Sequence, residues 1–129
     1  MEQKDIKVLI VDDEVALANT LAQRLQMRDL KVGTAYDGEQ ALAKLKNDKP
    51  DVIILDLRMP GMHGMEVLRE IKKVSPDIQV IVLTGHGTDK DEEEAKRLGG
   101  FDFLKKPADI ETLSRKIKAA FKEKCERKG

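Results

Sequence analysis

Tryptophan is absent from this 129-residue chain, and the other aromatics amount to one Tyr and three Phe. Any core must therefore be mainly aliphatic. Cysteine occurs once, as Cys125 in a polar stretch near the C-terminus. That excludes a disulfide framework and a CxxC pair, and fits a reducing compartment. No apolar run exceeds five residues, which excludes a membrane-spanning helix in the sequence as written. The N-terminal "MEQKDIK" has no apolar segment of the signal-peptide kind, so a cytosolic location is expected. Excess charge of either sign is missing as well: 24 Lys+Arg balance 24 Asp+Glu. Nothing in that balance calls for nucleic acid or an anionic membrane. What is present is 40% hydrophobic and 37% charged residues, enough for one soluble domain with its own core.

Four short apolar runs recur, "VLIV" (8–11), "VIIL" (52–55), "VIVL" (80–83) and a weaker "FDFL" (101–104), with a fifth candidate strand in "KVGTAY" (31–36). β-branched runs bounded by turn residues predict buried strands. Between them lie helical periods: Ala18, Leu21, Ala22 and Leu25; Ala41, Leu42 and Leu45; Val67, Leu68 and Ile71; Ile110, Leu113, Ile117 and Phe121. Start signals agree, with Asp37 three residues before Gln40 and Thr88 three before Asp91. "KPD" and "SPD" close helices, and Gly99-Gly100 marks a helix C-terminus. The acidic run "DKDEEE" (89–94) and the lysine-rich stretch 115–129 suit the two ends of helix dipoles. Strand and helix alternate five times, which predicts a doubly wound α/β domain with a parallel sheet covered on both faces.

All strands of a parallel sheet end on one edge, where ligands bind. Asp12 and Asp13 follow the first run, Asp56 follows "VIIL", Thr84 follows "VIVL", and Lys105 and Lys106 follow "FDFL". Two carboxylates about 4 Å apart repel by about 4 kcal/mol at an effective dielectric near 20. A trio needs a cation. An oxygen-only donor set favours Mg²⁺, and no His or Cys accompanies it at zinc spacing. Such a group of acids, a hydroxyl and an ammonium suits formation of an aspartyl phosphate, with Asp56 as acceptor and Asp12/Asp13 as metal ligands. Asp13 is also a candidate cap for the first helix. Spacing leaves Lys105 and Lys106 undistinguished.

"LIVDDE", "DVIILDLRMPGMHG", "VIVLTGHG" and "FDFLKKP" together resemble the receiver domain of bacterial response regulators, over about residues 6–122. The resemblance implies a flavodoxin-like (βα)5 fold, a five-stranded parallel sheet in the order 2-1-3-4-5. Residues 1–122 are expected as the receiver domain and 123–129 as a polar tail or linker stub. It further implies Asp56 as phosphoacceptor, with Asp12, Asp13, Asp56 and the Arg58 backbone carbonyl holding Mg²⁺. Thr84 and Lys106 would bind the phosphoryl oxygens. Lys106 is chosen over Lys105 because it immediately precedes Pro107, and the Lys106–Pro107 bond is expected to be cis. Thr84 and Phe103 match the family's switch positions: Thr84 moves inward on phosphorylation and Phe103 fills the space it leaves. The switched face is helix 4, strand 5 and helix 5.

The donor implied is a sensor histidine kinase or phosphotransfer protein. The recipient is an output partner or a second copy of the chain, with no direct contact to nucleic acid or membrane. Beyond self-phosphorylation and autodephosphorylation, no enzymatic turnover is expected. His63 stands where the family often has Asp and is expected as an exposed loop residue. Arg58 and His86, two residues past Asp56 and Thr84, are expected to flank the phosphoryl group and set its hydrolysis rate. Met59, Met62 and Met65 are expected to pack the loop and the third helix. The rival reading is a Mg²⁺-dependent phosphatase or phosphotransferase with an aspartyl nucleophile. Those enzymes show Asp-x-Asp after strand 1 and a cap insertion, whereas here the acids are adjacent and no room for a cap exists. A receiver-like domain that is never phosphorylated would lack an acid or the lysine, and all are present. With no helix-turn-helix and no GxxxxGK[ST] motif in the sequence, the chain is expected to act by protein contact or as the N-terminal part of a longer regulator.

Overall fold

A computed structural model describes residues 5–59, 61–85 and 87–128. The elements are β1 (Ile6–Val11), α1 (Val15–Gln26), β2 (Leu30–Ala35), α2 (Gly38–Asn47), β3 (Val52–Leu55), α3 (Gly64–Val74), β4 (Gln79–Thr84), α4 (Asp89–Arg97), β5 (Asp102–Lys105) and α5 (Ile110–Lys128). The five strands form one sheet in the order β2-β1-β3-β4-β5, and every neighbouring pair is parallel. Each predicted strand and helix is present, with boundaries moved by one or two residues.

The pleat divides the core in two. Leu9 and Val11, Ile53 and Leu55, and Val80 and Val82 face one layer, under Ala41 and Leu45 of α2, Val67, Leu68 and Ile71 of α3 and Ala95 of α4. Val8 and Ile10, Val52 and Ile54, and Ile81 and Leu83 face the other, under Ala18, Ala22 and Leu25 of α1 and Leu113, Ile117 and Ala120 of α5. β3 and β4 are buried along their whole length, which is why their sequences read as unbroken apolar runs. Met65 is buried, and Met59 and Met62 pack against the same layer, as expected.

Helix ends follow local chemistry. Asp37 accepts from the Gln40 N–H at 2.8 Å, and Thr88 and Asp91 close a reciprocal capping box on α4. Gly99, at φ +101°, ends α4, and the Gly100 N–H donates to the Ala95 carbonyl at 2.8 Å. α4 buries only one residue, Ala95. α5 runs unbroken across position 122. Its far end is tied to the sheet by Gln79 Nε2, which donates to the Ala120 carbonyl at 3.1 Å, and by Lys124 Nζ, 2.7 Å from Asp51 Oδ1. No helix among the described residues is long and apolar enough to cross a membrane.

Candidate functional site

Two adjacent strand ends set the site. The Asp12 N–H donates to Ala35 O and the Asp56 N–H to Val11 O, both at 3.0 Å, so the ladder continues one residue past β1 and β3. Both acids are thereby buried, Asp12 to 3% exposure and Asp56 to 6%. Asp13 is the most open of the three acids, and one oxygen from each of Asp12, Asp13 and Asp56 lies within 4.8 Å of the others. Among the described residues this is the one such grouping of acids, Cys or His.

Lys106 enters from the end of β5. Its Nζ donates to Asp12 Oδ2 at 2.7 Å, to Asp56 Oδ2 at 3.2 Å and to Glu14 Oε1 at 3.3 Å. Its backbone N–H donates to Thr84 O at 3.0 Å, and the Lys106–Pro107 bond is cis. Lys105 is exposed on the last position of β5. Tertiary structure thus separates the two lysines that spacing could not.

Burial pushes the Asp12 carboxyl above the usual carboxylate range. The Lys106 ammonium and the Glu14 N–H pull it back, and the Asp56 charge adds to the rise. Burial alone would lower the Lys106 ammonium, but Asp12 and Asp56 together hold it above the ordinary lysine value. Two buried carboxylates share one ammonium and stay electron-rich. The donor set is all oxygen, with three formal negative charges against one positive, and it fits a hard divalent cation.

Thr84 ends β4 fully buried. A Cβ placed on Gly87 would lie 2.4 Å from Phe103 Cζ and 2.9 Å from the Thr84 methyl, so ring and methyl converge on one small space. Phe103 is itself buried, at 8% exposure. Arg58 is exposed, and its N–H reaches Asp56 Oδ1 at 3.4 Å. His86 lies outside the described residues.

One expectation needs correction. Asp13 does not cap α1. Glu14 holds the N-cap position, and the Asp12 carboxylate takes the Glu14 N–H at 2.9 Å, because Asp12 is the acid turned back toward the helix start. His63 is an exposed loop residue, as expected, and it also serves as the N-cap of α3: Nδ1 accepts from the Met65 N–H at 3.1 Å. Its imidazole replaces the oxygen cap usual at such a position.

Two contributors escaped the sequence reading. Glu14 stands beside the predicted acids, and its reach to Lys106 spans 92 residues. Gly64 opens α3 directly against the backbone of Asp56 and Leu57: a Cβ there would lie 2.4 Å from Leu57 Cα and 2.6 Å from Asp56 O. Gly64→Ala is therefore expected to push α3 off β3 and lower unfolding stability by about 2 kcal/mol. Urea denaturation checks this, and an unchanged midpoint would contradict the close approach.

The family model described as the response regulator receiver domain matches residues 8–118. The transcriptional regulatory protein GlrR of Escherichia coli (strain K12) is 40% identical over 123 residues, 95% of this chain and 28% of that protein. The C4-dicarboxylate transport transcriptional regulatory protein DctD of Pseudomonas aeruginosa is 39% identical over 114 residues, 88% of this chain and 25% of that one. A CheY-like receiver domain protein from Methanospirillum hungatei JF-1 superposes with a TM-score of 0.92 at 28% identity, covering 98% of this chain and 100% of that one. A receiver domain protein from Clostridium thermocellum gives 0.87 at 36% identity, covering 92% and 96%. This chain spans about a quarter of the length of those two curated regulators.

Proposed function

This chain belongs to the family of response regulator receiver domains, and from that premise we propose that Asp56 is the residue that takes up the phosphoryl group. One observation carries the reading: Asp56 ends a central strand with its carboxylate buried, in reach of both a lysine and two further acids. In the transfer, an Asp56 oxygen forms a P–O bond as the P–N bond of a kinase's phosphohistidine breaks. The electron pair returns to the imidazole, which takes up a proton. Asp12, Asp13, Asp56 and the Arg58 carbonyl would hold Mg²⁺, which when bound offsets negative charge on the acids and the phosphoryl oxygens. Lys106 supplies the second positive charge and Thr84 a hydroxyl donor.

Switching uses the space shared by Thr84 and Phe103. A hydroxyl drawn toward the phosphoryl group leaves room that the Phe103 ring fills. α4 responds because it buries only Ala95, so little apolar area holds it in place. The face made by α4, β5 and α5 is then the one an output partner or a second copy reads. The receiver unit is assigned to residues 1–122; α5 continues past that point, and its Lys124 still reaches Asp51 Oδ1 at 2.7 Å. The relatives are transcriptional regulators, so the output assigned to a longer protein of this kind is control of transcription in the cytoplasm. Arg58 is assigned to flank the phosphoryl group and set its hydrolysis.

Incubation with Mg²⁺ and acetyl phosphate, followed by intact mass, tests the reading. One added phosphate per chain is expected. Multiple turnover of a small phosphoester would point to a hydrolase instead.

A further inference from the structure

Glu14 sits at the N-cap of α1, yet its side chain makes no cap hydrogen bond. Its carboxylate instead meets Lys106 Nζ at 3.3 Å, where that side chain reaches back from the end of β5 to the ends of β1 and β3. The three carboxylates around that ammonium differ sharply. The side chains of Asp12 and Asp56 are 4% and 7% exposed, and that of Glu14 is 64% exposed. The two buried acids are the ones assigned to the divalent cation. Once a cation takes them, Glu14 is the carboxylate still in hydrogen-bond reach of Lys106. A phosphoryl group on Asp56 then needs the same ammonium and adds negative charge beside Glu14.

We propose that Glu14 is a positioning residue that retains Lys106 when a divalent cation occupies the acids, and that it competes with the phosphoryl group for that ammonium. The proposal rests on Asp56 being the acceptor. Glu14 therefore acts with opposite signs on two binding steps: its charge favours the cation and disfavours the phosphoryl group. A residue that merely supported the fold would move both steps the same way.

The test compares the unsubstituted chain with Glu14→Gln, using Mg²⁺ alone and then beryllofluoride, a phosphoryl mimic, at saturating Mg²⁺. NMR shifts supply both dissociation constants. Glu14→Gln is expected to weaken Mg²⁺ by about twofold to threefold and to tighten beryllofluoride by about threefold to tenfold. Because Glu14 is exposed, the gain should shrink as NaCl rises from about 0.05 to about 0.5 M. Glu14→Asp, with the charge kept, should fall between the two. Failure of the unsubstituted chain to bind beryllofluoride would overturn the acceptor reading, and this proposal with it. Binding that Glu14→Gln leaves unchanged or weakens would overturn the role of Glu14 alone.

Discussion

Asp56→Asn is expected to remain unphosphorylated where the unsubstituted chain gains one phosphate. The effect should be complete, because the new P–O bond requires a carboxylate oxygen and an amide is not a nucleophile of comparable strength. Asp12 and Asp13 are not expected to substitute. Asp12 is held more closely than Asp56: its Oδ1 accepts from the Glu14 N–H at 2.9 Å and its Oδ2 from Lys106 at 2.7 Å, against 3.4 Å and 3.2 Å for the two oxygens of Asp56. Asp13 is the most open of the three acids. Folding should survive, since the Asp56 N–H bond to Val11 O is a backbone contact that the substitution leaves alone. Stability should rise by about 1 kcal/mol, because one of two buried like charges is removed while Lys106 keeps Asp12. Intact mass reads the first outcome and urea denaturation the second. An adduct of one phosphate on Asp56→Asn would place the acceptor elsewhere and remove the basis of the functional assignment.

Lys106→Met carries the second large effect, and it falls on stability as well as on function. The lysine side chain is 15% exposed and lies between two carboxylates that are almost fully buried. Removing one member of a buried charge group leaves its partners uncompensated, and here two partners are stranded at once. A loss of about 3 kcal/mol is expected in a chelator-containing buffer. Mg²⁺ should recover most of it, because a cation among Asp12, Asp13 and Asp56 supplies the charge that the ammonium had supplied. Lys105→Met is the matched control. Lys105 is exposed, so a change within about 0.5 kcal/mol is expected. Equal destabilisation by the two substitutions, or a Lys106→Met chain that Mg²⁺ does not restore, would contradict the charge arrangement described above.

Much of this molecule was legible before any coordinate. The runs 8–11, 52–55 and 80–83 are too apolar to be anything but strands buried on both faces, and β1, β3 and β4 occupy them. Alternation with amphipathic helices forces a parallel sheet, and a parallel sheet collects its strand ends on one edge. That topological fact is enough to bring Asp12, Asp13, Asp56, Thr84 and a lysine from "FDFLKK" together. The resemblance to receiver domains supplied the strand order and the choice of Lys106, and the sheet order and the Nζ contacts agree with both.

Sequence by itself determined what depends on period and chain order: five strands, five helices, and the edge where the acids lie. Tertiary structure alone decided where each side chain of that edge points. It put the Asp12 carboxylate, not that of Asp13, on the start of α1, and it sent Glu14 away from its own helix to Lys106. It made an imidazole the cap of α3 and pressed Gly64 onto the Asp56 backbone. The reason is separation along the chain. Hydrophobic periods and caps are settled among residues a few positions apart, whereas the contacts of Lys106 join residues 50, 92 and 94 positions away. Such contacts take their geometry only after the sheet has brought the strand ends together.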